Sequence, residues 1–280
     1  ATLEGDVHDY FGGIEDLRIG RVAFIGVPEE RIGEDVLRIL RFFRFYAHLG
    51  RGAPDAAALA ACEKLSDLIP RLSAERIRME TLKLLEAPRC AEVWALMMEH
   101  RIVTRFLPEA TNVKRLARLV ALEEKYQSPG FIMRRLAAVL DVTVQGIVDI
   151  GEDLRLSREQ VQQLLTLFEP AHDVSLRMDE KEVRRAVYRM GNDVVRSLLL
   201  LRAAEAEDEQ NLKEIYGWAT AFRAPRLPVV GNDVLGLGVA PGPEVGRILG
   251  DVEDWWVAQD FAPGRTACLE KLKALCPHRP

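Results

Sequence analysis

The chain has 280 residues, 48% of them hydrophobic and 29% charged, with a formal net charge of −5. That apolar share can bury a sizeable core, which excludes a disordered chain, and the negative balance excludes grip on nucleic acid through bulk charge while leaving local basic patches open. No stretch is apolar for the length of a bilayer crossing and no basic-then-apolar segment opens the sequence, so a cytoplasmic chain without membrane contact is expected. Cys62, Cys90, Cys268 and Cys276 stand apart with no C-x-x-C spacing, which argues against zinc and for incidental thiols.

In chain order, the first patterned stretch is short and extended, over residues 18–26, where Arg21-Val22-Ala23-Phe24-Ile25-Gly26 alternates. The rest reads as helix. Helices are expected at about 34–49, 55–68, 73–86, 89–100, 112–126, 130–140, 157–168, 180–190, 192–206 and 208–222, with Pro70, Pro88, Pro108, Pro129 and Pro170 as punctuation. In the first of them Glu34 lies one turn before Arg38, Asp35 three residues before it, and Arg41 and Arg44 follow at three-residue steps. Val36, Leu40, Phe43 and Ala47 form the core stripe beside them. Charges so spaced either pair with one another on a surface or hold a polar ligand.

Further along, Ser73 is placed to cap a helix whose first turn holds Glu75, and Ser157 with Gln160 and Asp179 with Glu182 have capping-box spacing. Arg177, Lys181, Arg184, Arg185, Arg189 and Arg196 crowd one region, either as a solvated face or as contacts to phosphates. The acids Glu205, Glu207, Asp208 and Glu209 read as a solvated face, not a metal site. Residues 224–228 look like a linker. Beyond it Gly236, Gly238, Gly242 and Gly246 surround Pro241 and Pro243, suiting a tight connection between two short helices. Such a turn either offers backbone amides to a phosphate or serves close packing alone. Trp255 and Trp256 are expected as anchors of that hairpin, and no fixed repeat supports a regular solenoid.

Three segments in order resemble one family. Asp9-Tyr10-Phe11-Gly12-Gly13-Ile14-Glu15-Asp16-Leu17, then Glu34-Asp35-Val36-Leu37-Arg38, then Ser73-Ala74-Glu75-Arg76-Ile77-Arg78-Met79-Glu80 look like the bacterial class II tRNA nucleotidyltransferases, the CCA-adding enzymes and their poly(A) polymerase relatives. The stretch from Gly231 to Gly246 resembles the tail of those enzymes. The family usually has Asp-Pro where this chain has Asp9-Tyr10, and often an acid near Val27.

The resemblance implies a mainly α chain: an elongated neck, body and tail with a short β remnant of a head domain. The expected segments are 1–28 (hinge and residual strands), 29–110 (neck), 111–224 (body) and 225–280 (tail). It also implies that the metal-binding carboxylates sit on a head before the hinge, in Gly-Ser and Asp-x-Asp motifs. Neither motif occurs here, so the expectation is a neck-body-tail portion with no catalytic residue and no metal ligand, inactive alone, whose parent binds Mg2+ in its head. The implied substrates are CTP and ATP and the implied partner is tRNA; nothing fixes an oligomeric state. Asp35 and Arg38 match the base-reading positions, since a carboxylate accepts from an exocyclic amine while a guanidinium donates to a ring acceptor. Glu34 is expected to orient the arginine, and Arg41 to stand near the phosphates or in the supporting network. Glu75, Arg76, Glu80 and Arg44 are expected as support, and Gly238, Gly242 and Gly246 as RNA contacts. The alternatives are a poly(A) polymerase of the same family, a head-less RNA-binding or adaptor module, and a helical scaffold.

Overall fold

The computed structural model describes residues 8–276, so the first seven residues of the expected hinge and the last four of the expected tail lie outside the described residues. Packing divides the chain into two compact units. One comprises the residues up to Pro170 together with Leu200–Asp208, the other Ala171–Leu199 together with the residues from Glu209 on.

The first unit holds α1 (Gly13–Ile19), α2 (Pro28–Glu34), α3 (Arg38–Leu49), α4 (Ala56–Lys64), α5 (Ala74–Glu86), α6 (Cys90–Glu99), α7 (Val113–Lys125), α8 (Ile132–Val139), α9 (Val144–Asp153) and α10 (Arg158–Phe168). The carboxylate of Asp9 accepts the amides of Gly13 and Ile14 at 2.9 and 2.8 Å, satisfying donors that open α1. Asp55, Asn112 and Thr143 cap α4, α7 and α9, and Ser157 with Gln160 closes the expected capping box on α10.

Three expectations are corrected. Among the described residues there is no β-strand: residues 21–27 run as irregular chain, because an extended segment needs a neighbouring strand to satisfy its amides and none is described. The helix expected over 34–49 is two helices, since Asp35 ends α2 in extended geometry (φ −153°, ψ 106°) and α3 starts only at Arg38. Ser73 precedes α5 but its hydroxyl makes no capping bond. The helix α9 was not foreseen; glycines at 146 and 151 weaken its signal.

The core of this unit is built around α3, which buries Ile39, Leu40, Phe42, Phe43, Tyr46 and Ala47 and packs on α5 and α6. Val36, expected in the stripe, is only half-buried because the break rotates it out of register. Full burial of a side chain such as Phe43 contributes about 1.5–3 kcal/mol. At the end of α3, a Cβ on Gly50 would lie 2.2 Å from the Tyr46 ring, so the chain can leave the helix there only through glycine.

A buried ion triad lies deeper. Glu123 of α7 accepts Nε and Nη2 of Arg134 at 2.9 and 2.6 Å and Nε of Arg135 at 2.8 Å. Nη1 of Arg135 then donates to the carbonyls of Leu85, Glu86 and Ala87 at 2.7, 3.2 and 3.2 Å, closing the open end of α5.

The second unit contains α11 (Glu180–Met190), α13 (Leu212–Ala221), α14 (Gly231–Gly236), α15 (Pro243–Ala258) and α16 (Arg265–Leu275), while α12 (Asn192–Ala206) begins in this unit and ends in the first. Asp179 and Glu182 form the expected box on α11. Val234, Ile248, Val252, Trp256, Cys268 and Leu272 make its core, with Trp256 as buried anchor and Trp255 half-covering the same cluster under Lys271. Among the described residues no helix is long and apolar enough to cross a membrane.

Candidate functional site

The break between α2 and α3 shapes the site. With Asp35 out of helical geometry, its Oδ1 accepts the Leu37 amide at 3.1 Å and starts the next helix. The same carboxylate takes Nη2 of Arg76, on α5, at 2.8 and 3.0 Å. Burial pushes its pKa up, but the bonds from Arg76 and the Leu37 amide and the charges of Arg76 and Arg41 outweigh that and hold the carboxyl below its usual range.

Arg38 does not pair with Asp35. Its Nη1 donates to Glu34 Oε2 at 2.6 Å and to the Arg31 carbonyl at 2.8 Å. Glu34 also takes Arg31 Nη1 at 2.7 Å, and the bond from Arg38, then the charges of both arginines, keep the Glu34 carboxyl low despite slight desolvation. A guanidinium has five N–H donors. Two are used at Nη1, so Nε and Nη2 of Arg38 remain.

Glu80, only 2% exposed, is the second fixed point. It accepts Arg44 Nε at 2.5 Å and Arg41 Nε at 3.4 Å, tying α5 to α3. The Arg44 guanidinium lies 4.1 Å from the centroid of the Phe45 ring. Glu75 is exposed and makes no side-chain bond among the described residues.

Beside these residues lies an open cavity of about 290 Å³, walled by residues 22–25 and by Arg31, Arg38, Arg41, Phe42 and Phe45. Phe24 stacks on Phe42 at 5.8 Å between centroids, so the aromatic wall is anchored in the core. The structure thus brings Arg38 and Arg41 to one cavity, pairs Glu34 with Arg38 beside it, joins Glu80 to Arg41 and Arg44, and turns Asp35 to Arg76. Sequence reasoning assigned no role to Arg31, Phe24, Phe42 or Phe45. The helical spacing Arg38, Arg41, Phe42, Phe45 carried the signal for the last two.

In the second unit, Gly238 follows α14 with φ +86°, Gly242 precedes α15 and Gly246 lies within it. All three are exposed and a Cβ added at any of them would meet nothing within 4 Å, so close packing does not explain them. The arginines of α11 are engaged elsewhere: Arg184 with Glu180 and Asp260, Arg185 with the Ala258 carbonyl, Arg189 with Glu253 and Asp254. Among the described residues no group of three or more His, Cys, Asp or Glu is placed to hold a metal ion.

An all-helical protein with an arginine-walled cavity beside a broken helix is the class that the fold and site define. Residues 53–114 match the family model described as a probable RNA and SrmB-binding site of polymerase A. The CCA-adding enzyme of Streptococcus pneumoniae is 30% identical over 256 residues, 89% of this chain and 62% of that protein. The mitochondrial CCA tRNA nucleotidyltransferase 1 of Danio rerio is 28% identical over 277 residues, 96% of this chain and 63% of that one. The chain therefore spans about three fifths of the length of the curated relatives it matches. Among solved structures, the Bacillus stearothermophilus CCA-adding enzyme in complex with CTP aligns with a TM-score of 0.58 at 21% identity, over 90% of this chain and 65% of that one. The Thermotoga maritima enzyme complexed with tRNA aligns at 0.62 and 17%, over 95% and 67%, a likeness that shows the fold. These likenesses support a member of the CCA-adding enzyme and poly(A) polymerase family.

Proposed function

We propose that this chain is the nucleotide-selecting and tRNA-holding part of a tRNA nucleotidyltransferase that adds C-C-A to tRNA 3′ ends from CTP and ATP without a template. In this reading residues 29–110 are the neck that selects the nucleotide, 111–224 the body, and 225–280 a tail that meets tRNA through the open backbone at Gly238, Gly242 and Gly246. Phosphoryl transfer itself needs a divalent cation, proposed as Mg2+, held by carboxylates of the parent enzyme and not by this chain. The parent is proposed to work in the cytoplasm.

The observation that carries the reading is Arg38, fixed through one nitrogen and left with Nε and Nη2 at the wall of a cavity. Cytosine and adenine each present an exocyclic amine beside a ring acceptor, whereas uracil and guanine present a carbonyl there. Arg38 donates to the ring acceptor. Asp35 accepts from the amine through Oδ2, which bonds only Arg76 among the described residues and keeps a lone pair. Opposing that carboxylate with a carbonyl leaves two acceptors face to face, and loss of designed hydrogen bonds discriminates by up to about 10⁴-fold. Arg76 holds the carboxylate, Glu34 holds Arg38, and Glu80 holds Arg41 and Arg44 in the same manner. Preorganisation of this kind keeps a selecting group within the tolerance that selection requires.

The test is nucleotide addition by the gene-length protein to a tRNA lacking its last three residues, with CTP and ATP supplied. Addition that stops after C-C-A supports the reading; continued A addition favours a poly(A) polymerase, and none favours a binding module. Asp35→Ala is expected to erode the preference for CTP and ATP over UTP and GTP by at least about tenfold, with tRNA affinity little changed.

A further inference from the structure

The face of α3 that carries Arg38 continues for two turns with chemistry that reading one base does not use. At 100° and 1.5 Å per residue, Arg41, Phe42 and Phe45 lie on the same face as Arg38, with Phe45 about 10 Å further along the helix. All four line the one cavity. Stacked bases are about 3.4 Å apart, so that rise along the helix leaves room for a second base beside one whose edge meets Arg38.

Phe45 is unlike its neighbours. Phe42, Phe43 and Tyr46 are 4%, 0% and 3% exposed, whereas Phe45 is 41% exposed. It is also held. Arg44 lies against the ring at 4.1 Å, and Arg44 is itself fixed by the buried carboxylate of Glu80. An oriented, half-exposed ring in a cationic cavity matches what single-stranded nucleic acid requires, a π-face for a base and guanidinium donors for its backbone. Arg41, between Arg38 and Phe45, bonds Glu80 through Nε alone, so its two terminal nitrogens have no bond among the described residues and can meet a phosphodiester.

We infer that Phe45, backed by Arg44, is the stacking platform for the single-stranded 3′ end of the RNA acceptor, with Arg41 meeting the phosphate that joins it to the next residue. This rests on the proposed function, and it divides the cavity: Arg38 serves the incoming nucleotide and Phe45 the RNA that receives it. Base stacking on an aromatic ring is sequence-tolerant, which suits a surface that must accept a different terminal residue after each addition.

The test uses the gene-length protein and its Phe45→Leu and Phe45→Trp variants, with tRNA lacking part of its 3′ end. Phe45→Leu is expected to raise the KM for tRNA about tenfold while the KM values for CTP and ATP stay within about twofold, and Phe45→Trp is expected to restore it. Independently of activity, a short RNA ending in 2-aminopurine is expected to lose fluorescence on binding the unaltered protein and the Trp variant but not the Leu variant. An unchanged KM for tRNA, or a rise confined to CTP and ATP, overturns the inference, as does quenching that persists in Phe45→Leu. Absence of addition by the unaltered protein defeats the proposed function alone, provided that Phe45-dependent quenching remains.

Discussion

The four arginines of α2 and α3 and the three of α11 do different work. On α11, Arg184, Arg185 and Arg189 reach α15 and the turn after it, where each meets a carboxylate or a carbonyl. On α2 and α3, Arg31 and Arg38 share one carboxylate, Arg41 gives one nitrogen to another, and all three line a cavity. Counting cations does not separate the two rows. What separates them is how many donors remain after neighbouring acceptors are satisfied, and whether a cavity lies in front of them.

The comparison breaks most severely where arginine is wholly structural. Glu123→Ala leaves the guanidiniums of Arg134 and Arg135 buried without their shared counter-charge, and the loss in unfolding free energy is expected at about 3–5 kcal/mol, read by urea denaturation. A smaller change sharpens it from the other side. Glu80→Gln keeps the shape but weakens the hold on Arg41 and Arg44, with an expected cost of about 1.5–3 kcal/mol by the same measurement. The variant should also raise the KM for tRNA in the gene-length protein, which a purely structural pair would not do.

The smallest effect belongs to the second unit and appears only in alkali. Tyr188 lies beneath α15 and donates to Glu253 Oε1 at 2.5 Å; burial first, then that bond and the charge of Glu253, push its hydroxyl from 10.0 up to about 12. Because the folded state holds the proton more tightly, this contribution is complete below pH 10 and is lost as pH rises toward about 12. Tyr188→Phe should flatten that fall in thermal denaturation midpoints over the same range.

Much of the helical order was legible because it depends on local rules. The capping boxes at Ser157 and Asp179, the buried Trp256 and the burial of Leu40, Phe43 and Ala47 follow from spacing alone. Spacing placed Arg38 and Arg41 on the face that lines the cavity, but it did not show which groups pair. Helical spacing placed Asp35 beside Arg38, yet Arg76, 41 residues away, competes for the same carboxylate and wins, and the backbone breaks to allow it. A partner that distant leaves no periodic trace. The role of Ser73 was misread for a related reason: cap propensity states what a hydroxyl can do, not whether the chain before α5 turns it toward the free amides.

The grip of Arg135 on the last carbonyls of α5 ties two distant stretches of sequence into one folding event. Leu85, Glu86 and Ala87 lie 50, 49 and 48 residues before the arginine that satisfies them. Residues 29–110 alone would end α5 with those carbonyls open and would lack the helix that covers them. The segment that carries the arginine-walled cavity is therefore not autonomous. Its supporting helix is complete only with α7 and α8 docked, so the cavity depends on chain that never lines it.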